Sequence, residues 1–237
     1  MRIFDGFLEI TAFCTDKNHG NFADYVGEDA NTLEKRRVEF AKTQKIVLLK
    51  QVHGDIVLEV DSGKIEPNGA FYFGGEADGM ITNEAGVTLA IQTADCAGVL
   101  LYDETNKAIA ALHAGRKGAE LNILGKCVAK MQDLYGTKPD KLAVYIGVHI
   151  RGCCYELPAD MAKEFDKYEN AVEKRDGKHY LDIAKVILSQ ARSLGIKDEN
   201  IEISPSCTSC ESDKYFSYRA EDGKCGRMLT AIGLKAI

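Results

Sequence analysis

One cysteine and two histidines occupy similar places in this sequence, beside apolar runs and next to small residues. Val87 to Ile91 and Val99 to Tyr102 are apolar runs flanking Thr93-Ala94-Asp95-Cys96, a turn-like Asp-Glu-Thr-Asn-Lys follows, and Ala108 to Leu112 leads into His113-Ala114-Gly115. Upstream, Ile46 to Val52 has the same design and ends in His53-Gly54. If each run is a strand, the thiol and both imidazoles stand at strand ends and face one pocket. Zinc accepts imidazole nitrogen and thiolate sulfur, and a catalytic zinc has three protein ligands with one position left for water. His53, Cys96 and His113 would supply such a set and keep a nucleophile available near pH 7. Spacing alone leaves two readings open, because ligands this far apart match no short zinc-finger pattern and buried thiols or satisfied strand histidines are commoner than sites.

The elements that must position these residues follow from the periodicity. FLEITAFCT alternates as a first strand, with Leu8, Ile10 and Ala12 on one side, and Ala30 to Lys42 suits a helix with a partial stripe of Leu33, Val38 and Phe40. Ile46 to Val60 holds two strands broken at His53-Gly54-Asp55, and SGKIEPNGAFYFGGEADG is a Gly-rich connection without periodicity. After the central runs, Leu121, Leu124, Val128, Met131 and Leu134 predict one amphipathic helix over Ala119 to Tyr135, stopped by Gly136. A strand over 141–150 precedes a helix opening at Pro158 with Met161, Phe165 and Tyr168 on one face; Asp182 caps another helix that ends at Gly195, and Asn200 to Ile203 reads as a strand. Consecutive strands outnumber helices, so the fold class is α+β, a sandwich of mixed sheets flanked by helices.

Other residues carry weaker signals. Gln51 lies two residues from His53 on the same strand face, where it would orient a ligand or substrate or else simply face solvent. Asp95 alternates away from Cys96, which suits a turn or supporting role. Arg219 and Arg227 would bind an anionic group or pair with neighbouring carboxylates. Cys207-Thr-Ser-Cys210 has a redox or zinc spacing, but with no second pair or histidine nearby in the sequence it reads as two thiols with a packing role. His19, His149 and His179 have no supporting pattern.

Composition narrows the function. The 237 residues carry 30 Lys and Arg against 36 Asp and Glu, and the net charge of −6 opposes nonspecific binding to a phosphate backbone. No run approaches the roughly 18 apolar residues of a membrane span, and MRIFDGFLEI lacks the apolar core of a secretory signal, so we expect a cytoplasmic protein without nucleic-acid or membrane partners. Eight cysteines in such a chain read as reduced thiols rather than a disulfide framework. No repeat or composition break marks a boundary, and residues 1–237 are read as one domain.

The order of QVHG (51–54), ADGMITN (77–83), TADCAGVLLYD (93–103), AALHAG (110–115), IGVHI (146–150), CYE (154–156), LDI (181–183), CTSC (207–210), FSYR (216–219) and GR (226–227) resembles the YfiH-like laccase-domain family over essentially the whole chain. That family was described first as polyphenol oxidases and later as purine nucleoside phosphorylases with adenosine deaminase and methylthioadenosine phosphorylase activity. The resemblance implies a four-layer α/β/β/α sandwich and a zinc held by His53, Cys96 and His113, the three residues also expected to carry catalysis, with copper as the alternative metal. It further implies a purine nucleoside substrate with inorganic phosphate as a possible co-substrate; the residues themselves, not the resemblance, offer Gln51, Lys117, Arg219 and Arg227 as substrate-binding candidates.

The sequence departs from the family pattern at three places, one of them IGP, which becomes Ile146-Gly147-Val148. The family's N-terminal STR-x-GG is replaced by Cys14-Thr15-Asp16-Lys17, without the arginine, and its HAGWRG becomes HAGRKG, with Arg116 and Lys117. Lys17 and Lys117 are the nearest substitute cations by sequence. On this reading phosphorolysis is weakened more than hydrolytic deamination, which needs no phosphate. Two alternatives stand beside the zinc-dependent nucleoside enzyme: a copper-dependent polyphenol oxidase, for which five histidines are few, and a catalytically faded metal- or nucleoside-binding protein.

Overall fold

The computed structural model describes residues 4–42 and 44–236. Two six-stranded mixed sheets form its centre. The first runs β1 (Ile10–Cys14), β15 (Met228–Leu234), β7 (Val87–Thr93), β2 (Lys45–Lys50), β5 (Phe71–Glu76) and β4 (Glu66–Asn68). In the second the order is β14 (Ile201–Ile203), β10 (Ala143–Ile146), β8 (Ala97–Asp103), β9 (Ala108–Ala114), β6 (Gly79–Thr82) and β3 (Val57–Glu59). A small third sheet joins β11 (Glu156–Leu157), β13 (Lys178–Leu181) and β12 (Val172–Arg175).

Strand parity explains how these sheets stack. Along β8, Leu100 and Tyr102 pack with Val47, Leu49, Leu89 and Ile232 of the first sheet, whereas Val99 and Leu101 point the other way. The outward face of the second sheet is covered by α3 (Ile123–Tyr135) and α5 (Ile183–Ser193), through Leu124, Val128, Met131, Val186 and Ile187. The outer face of the first sheet, with Ile46, Leu48, Ala90 and Leu229, packs on Phe22 and on Ala41 of α1 (Ala30–Ala41). The order is therefore helix, sheet, sheet, helix, as expected. Sheets covered on both faces need strands apolar at every position, and β7, β8 and β9 are buried throughout. Each fully buried Leu, Ile or Val contributes about 1.5–3 kcal/mol to this packing.

Several sequence expectations change in detail. The Gly-rich segment after Val60 contains β4 and β5, because Phe71 buries against Phe22 and Ala90 while Gly74 lets β2 side chains approach. The helix expected over Ala119 to Tyr135 is two helices, α2 (Arg116–Glu120) and α3. Asn122 divides them: it adopts φ 57°, and its side chain accepts from Gly125 N to cap α3. Leu121 and Leu134 are accordingly exposed. In α1 the buried stripe is Leu33, Arg37 and Ala41, spaced by four, while Val38 is exposed. The helix at Pro158 is short, α4 (Ala159–Lys163), with Met161 exposed and Phe165 beyond its end fully buried. Asp182 caps α5 as its spacing predicts, accepting from Ala184 N.

Candidate active site

The three sequence candidates meet at one end of the sandwich. The donor atoms of His53, Cys96 and His113 lie within 4.8 Å of one another, and the two imidazole rings stand edge to face with centroids 4.7 Å apart. His113 ends β9 on the face of Ile109 and Ala111, between the sheets, and is almost fully buried. His53 sits in the loop after β2 with φ 60°, exposed to the cavity. Cys96 immediately precedes β8, directly after Asp95, whose φ of 83° turns the chain there.

Each candidate is held by a neighbour whose role is clear only in three dimensions. Asp78, immediately before β6, is fully buried and lies 2.8 Å from His113 Nδ1 through Oδ1. The same carboxylate accepts from the main-chain N–H groups of Val52 (3.2 Å), His53 (2.9 Å) and Gly54 (2.6 Å). One buried charge thus shapes the His53 loop and leaves Nε2 of His113 for the pocket. The Asp95 carboxylate accepts from Thr208 Oγ1 (2.6 Å), Ser217 Oγ (2.8 Å) and Arg219 N (2.6 Å), fixing the turn behind Cys96 from the C-terminal segment. Gly115 completes the enclosure, since a Cβ there would come 2.8 Å from Cys96 Sγ.

The electrostatics favour a thiolate. Burial alone would raise the Cys96 thiol, but His113 and His53 beside it bring it down to about 6. Burial likewise opposes charge on His113, and the Cys96 thiolate and Asp78 carboxylate overcome it, raising the imidazole to about 9. Two imidazoles and an anionic sulfur within reach of one ion fit a borderline-soft divalent metal.

These groups open into a cavity of about 860 Å³ between the sheet ends and the C-terminal segment, within the size range of small-molecule sites. Tyr25, Tyr155 and Tyr218 line it together with the guanidinium-bearing residues Arg37, Arg219 and Arg227. Arg219 Nη1 and Nη2 bond the carbonyls of Cys154 and Glu156, with the guanidinium 5.5 Å from the Tyr155 ring centroid. The Arg227 guanidinium bonds Cys225 O and Gly226 O and lies over Tyr25 and Tyr218. Gln51 also lines the cavity, but both ends of its amide are taken by the backbone of Gln92, which ties the end of β2 to β7.

Lys117 and Lys17 are not brought to the cavity. Lys117 is exposed on α2 and paired with Glu120 at 2.8 Å, because residues three apart on a helix are neighbours. Lys17 pairs with Glu221 at 3.1 Å and packs over Phe216. Neither lysine that the sequence offered as a substitute for the missing N-terminal arginine therefore lines the cavity. Arg37, missed in the sequence, reaches the cavity from α1; it is 4 % exposed, bonds Phe22 O through Nη2, and its Nε has no partner. Its four-residue spacing from Leu33 and Ala41 was the available signal.

Fold and site together define a laccase-type sandwich with a His-Cys-His donor set at the mouth of a cationic, aromatic cavity. Residues 14–235 match the family described as multi-copper polyphenol oxidoreductase laccase, and the chain belongs to that family. It is 34 % identical over 224 residues to a purine nucleoside phosphorylase of Clostridium acetobutylicum, covering 93 % of this chain and 89 % of the relative. A purine nucleoside phosphorylase of Corynebacterium glutamicum is 34 % identical over 222 residues, covering 90 % and 86 %. The crystal structure of Bacillus licheniformis YfiH superposes with a TM-score of 0.89 at 29 % identity, covering 95 % of this chain and 93 % of that one. YlmD from Geobacillus stearothermophilus gives the same TM-score at 28 % identity, covering 97 % and 93 %. Among the described residues no helix is long and apolar enough to cross a membrane.

Proposed function

We propose that this chain is a zinc-dependent enzyme acting on purine nucleosides, with His53, Cys96 and His113 as the metal ligands and residues 1–237 working as one domain. The observation that carries the reading is the convergence of that donor set with three arginines and three tyrosines on one cavity. Relatives named purine nucleoside phosphorylase across most of both chains support the substrate class. A one-domain reading is supported by an inter-sheet cluster that draws on Ile10, Leu89, Tyr145 and Ile232 alike.

Zinc in this set supplies Lewis-acid polarisation and an acidified water. The chain's own residues do the rest. Asp78 keeps the Nδ1 side of His113 occupied, so that Nε2 is the metal-facing atom. Tyr155 and Tyr218 offer ring faces to a purine, and Arg37, Arg219 and Arg227 offer charge-assisted bonds to phosphate. In phosphorolysis a phosphate oxygen bonds to the ribose C1′, the C1′–N9 bond breaks with its electron pair going to the base, and the base leaves after taking a proton. In deamination, water adds at purine C6 and ammonia leaves. Both use the same cavity, and the arginine lining favours phosphorolysis as a major reaction alongside deamination.

The test is product analysis from adenosine, inosine and methylthioadenosine with zinc-loaded protein, with and without phosphate. Phosphate-dependent release of free base, or formation of inosine from adenosine, is the expected result. A zinc-loaded protein that turns over none of these nucleosides sinks the proposal. The phenol-oxidase reading, carried by the family's description, instead requires oxygen uptake with a phenolic substrate in copper-loaded protein.

A further inference from the structure

The fold gathers a second group of donors that the nucleoside reading does not use. The turn after β10 contains Cys153 and Cys154, closed by Cys154 N and Tyr155 N donating to Arg151 O at 2.9 Å each. The segment after β14 contains Cys207 and Cys210, in a turn where Glu211 N donates to Cys207 O at 3.0 Å. A bridge between His149 and Cys207 and the bond from Thr208 N to His149 O set the two turns side by side. All four sulfurs then lie within 4.8 Å of one another, with Cys210 Sγ 3.5 Å from Cys153 Sγ and 3.3 Å from Cys154 Sγ. The sequence reading of Cys207 and Cys210 as packing thiols assumed no partner pair, and the tertiary structure supplies one more than fifty residues away.

The geometry points to a tetrathiolate site for one divalent ion of the zinc class, held by Cys153, Cys154, Cys207 and Cys210. Hydrophobic burial does not account for the cluster, because Cys153 and Cys210 are exposed and Cys154 is half-buried. Four thiolates on a tetrahedral ion with Zn–S bonds of about 2.3 Å stand about 3.8 Å apart, close to the spacing seen. Arg151 N donates to Cys207 Sγ at 3.3 Å, the kind of main-chain bond that stabilises a ligating thiolate. Arginines offset the charge of four thiolates: Arg175 bonds Cys153 O and Arg219 bonds Cys154 O. The ion would join the turn carrying Tyr155 to the segment carrying Thr208, Ser217 and Arg219, and thereby brace the cavity wall behind Asp95 from outside. It is a structural site, since its four positions are filled by protein.

The test begins with Cys96→Ala, which removes the cavity thiol and isolates the second site. Anaerobic titration of this reduced variant with Co(II) should give a one-equivalent endpoint with intense thiolate-to-cobalt charge-transfer absorption and tetrahedral d–d bands, bleached by one equivalent of zinc. Adding Cys153→Ser and Cys210→Ser, two exposed positions, should abolish that absorption while far-UV circular dichroism stays unchanged. X-ray absorption of the zinc form should show a sulfur-only shell at about 2.3 Å. Cobalt binding without charge-transfer absorption, or a disulfide joining Cys210 to Cys153 or Cys154 in anaerobically purified protein, overturns the assignment. Neither outcome depends on nucleoside turnover, so this test and that of the proposed function fail separately.

Discussion

Asp78 Oδ1 lies 2.8 Å from His113 Nδ1 and also accepts from the main-chain N–H of His53, so one buried carboxylate orients both imidazoles of the site. Asp78→Asn retains the shape and removes the charge. Loss of such a supporting partner costs about 10–100-fold in metal affinity, which competition with a chromophoric chelator will read. Affinity within twofold of wild type would separate Asp78 from metal binding.

Cys96→Ala removes the only sulfur of the cavity donor set. The expected outcome is loss of the cavity-bound zinc, with nucleoside turnover at background. Elemental analysis compares it with wild type, and Gly115→Ala supplies a gentler variant, since the added Cβ crowds Cys96 Sγ without deleting it. Cavity zinc unchanged in Cys96→Ala would refute the ligand assignment.

Arg37 lines the cavity with a buried guanidinium whose Nη2 bonds Phe22 O and lies 3.8 Å from Asp24 Oδ2. Removing a charge-assisted contact costs about 1.5–3 kcal/mol, so Arg37→Gln should raise the KM for phosphate roughly 10–100-fold. Phosphate-independent inosine formation should change far less. Lys117→Ala, on the exposed face of α2, should leave the phosphate KM within about twofold, as surface pairs contribute little. A phosphate KM indifferent to Arg37 and sensitive to Lys117 would reverse the placement of the anion site.

Asp182, the N-cap of α5, gives a pH-dependent contribution to stability. Burial works against its charge, but His149 and Arg151 beside it hold the carboxyl down to about 2. A folded pKa below the unfolded value of about 3.9 stabilises the protein above that value, and the benefit is lost as pH falls from about 4 towards 2. Asp182→Asn keeps a competent N-cap for α5. It should therefore cost about 2 kcal/mol at pH 7, a gap from wild type that closes towards pH 2 in urea denaturation. A gap constant across that range would remove the charge from the explanation.

The sequence by itself determined the central strands, because sheets covered on both faces require unbroken apolar runs and those runs are local. It also determined His53, Cys96 and His113 as candidates, since strand ends followed by small residues are visible in the chain, and the order of motifs carried the family and the four-layer sandwich. Only the tertiary structure decided which groups hold and surround them. Asp78 lies at the end of a stretch that reads as a Gly-rich connection without periodicity, yet its carboxylate holds both His113 and the His53 loop. Arg37 looks like the polar face of a surface helix, and Lys117 occupies a motif position but turns to Glu120. Cys153 and Cys154 meet Cys207 and Cys210 only because β14 pairs with β10. Local periodicity reports which face of an element is buried. Which distant side chains share a pocket or a metal depends on strand order and register, and those are fixed by the packing of the whole chain.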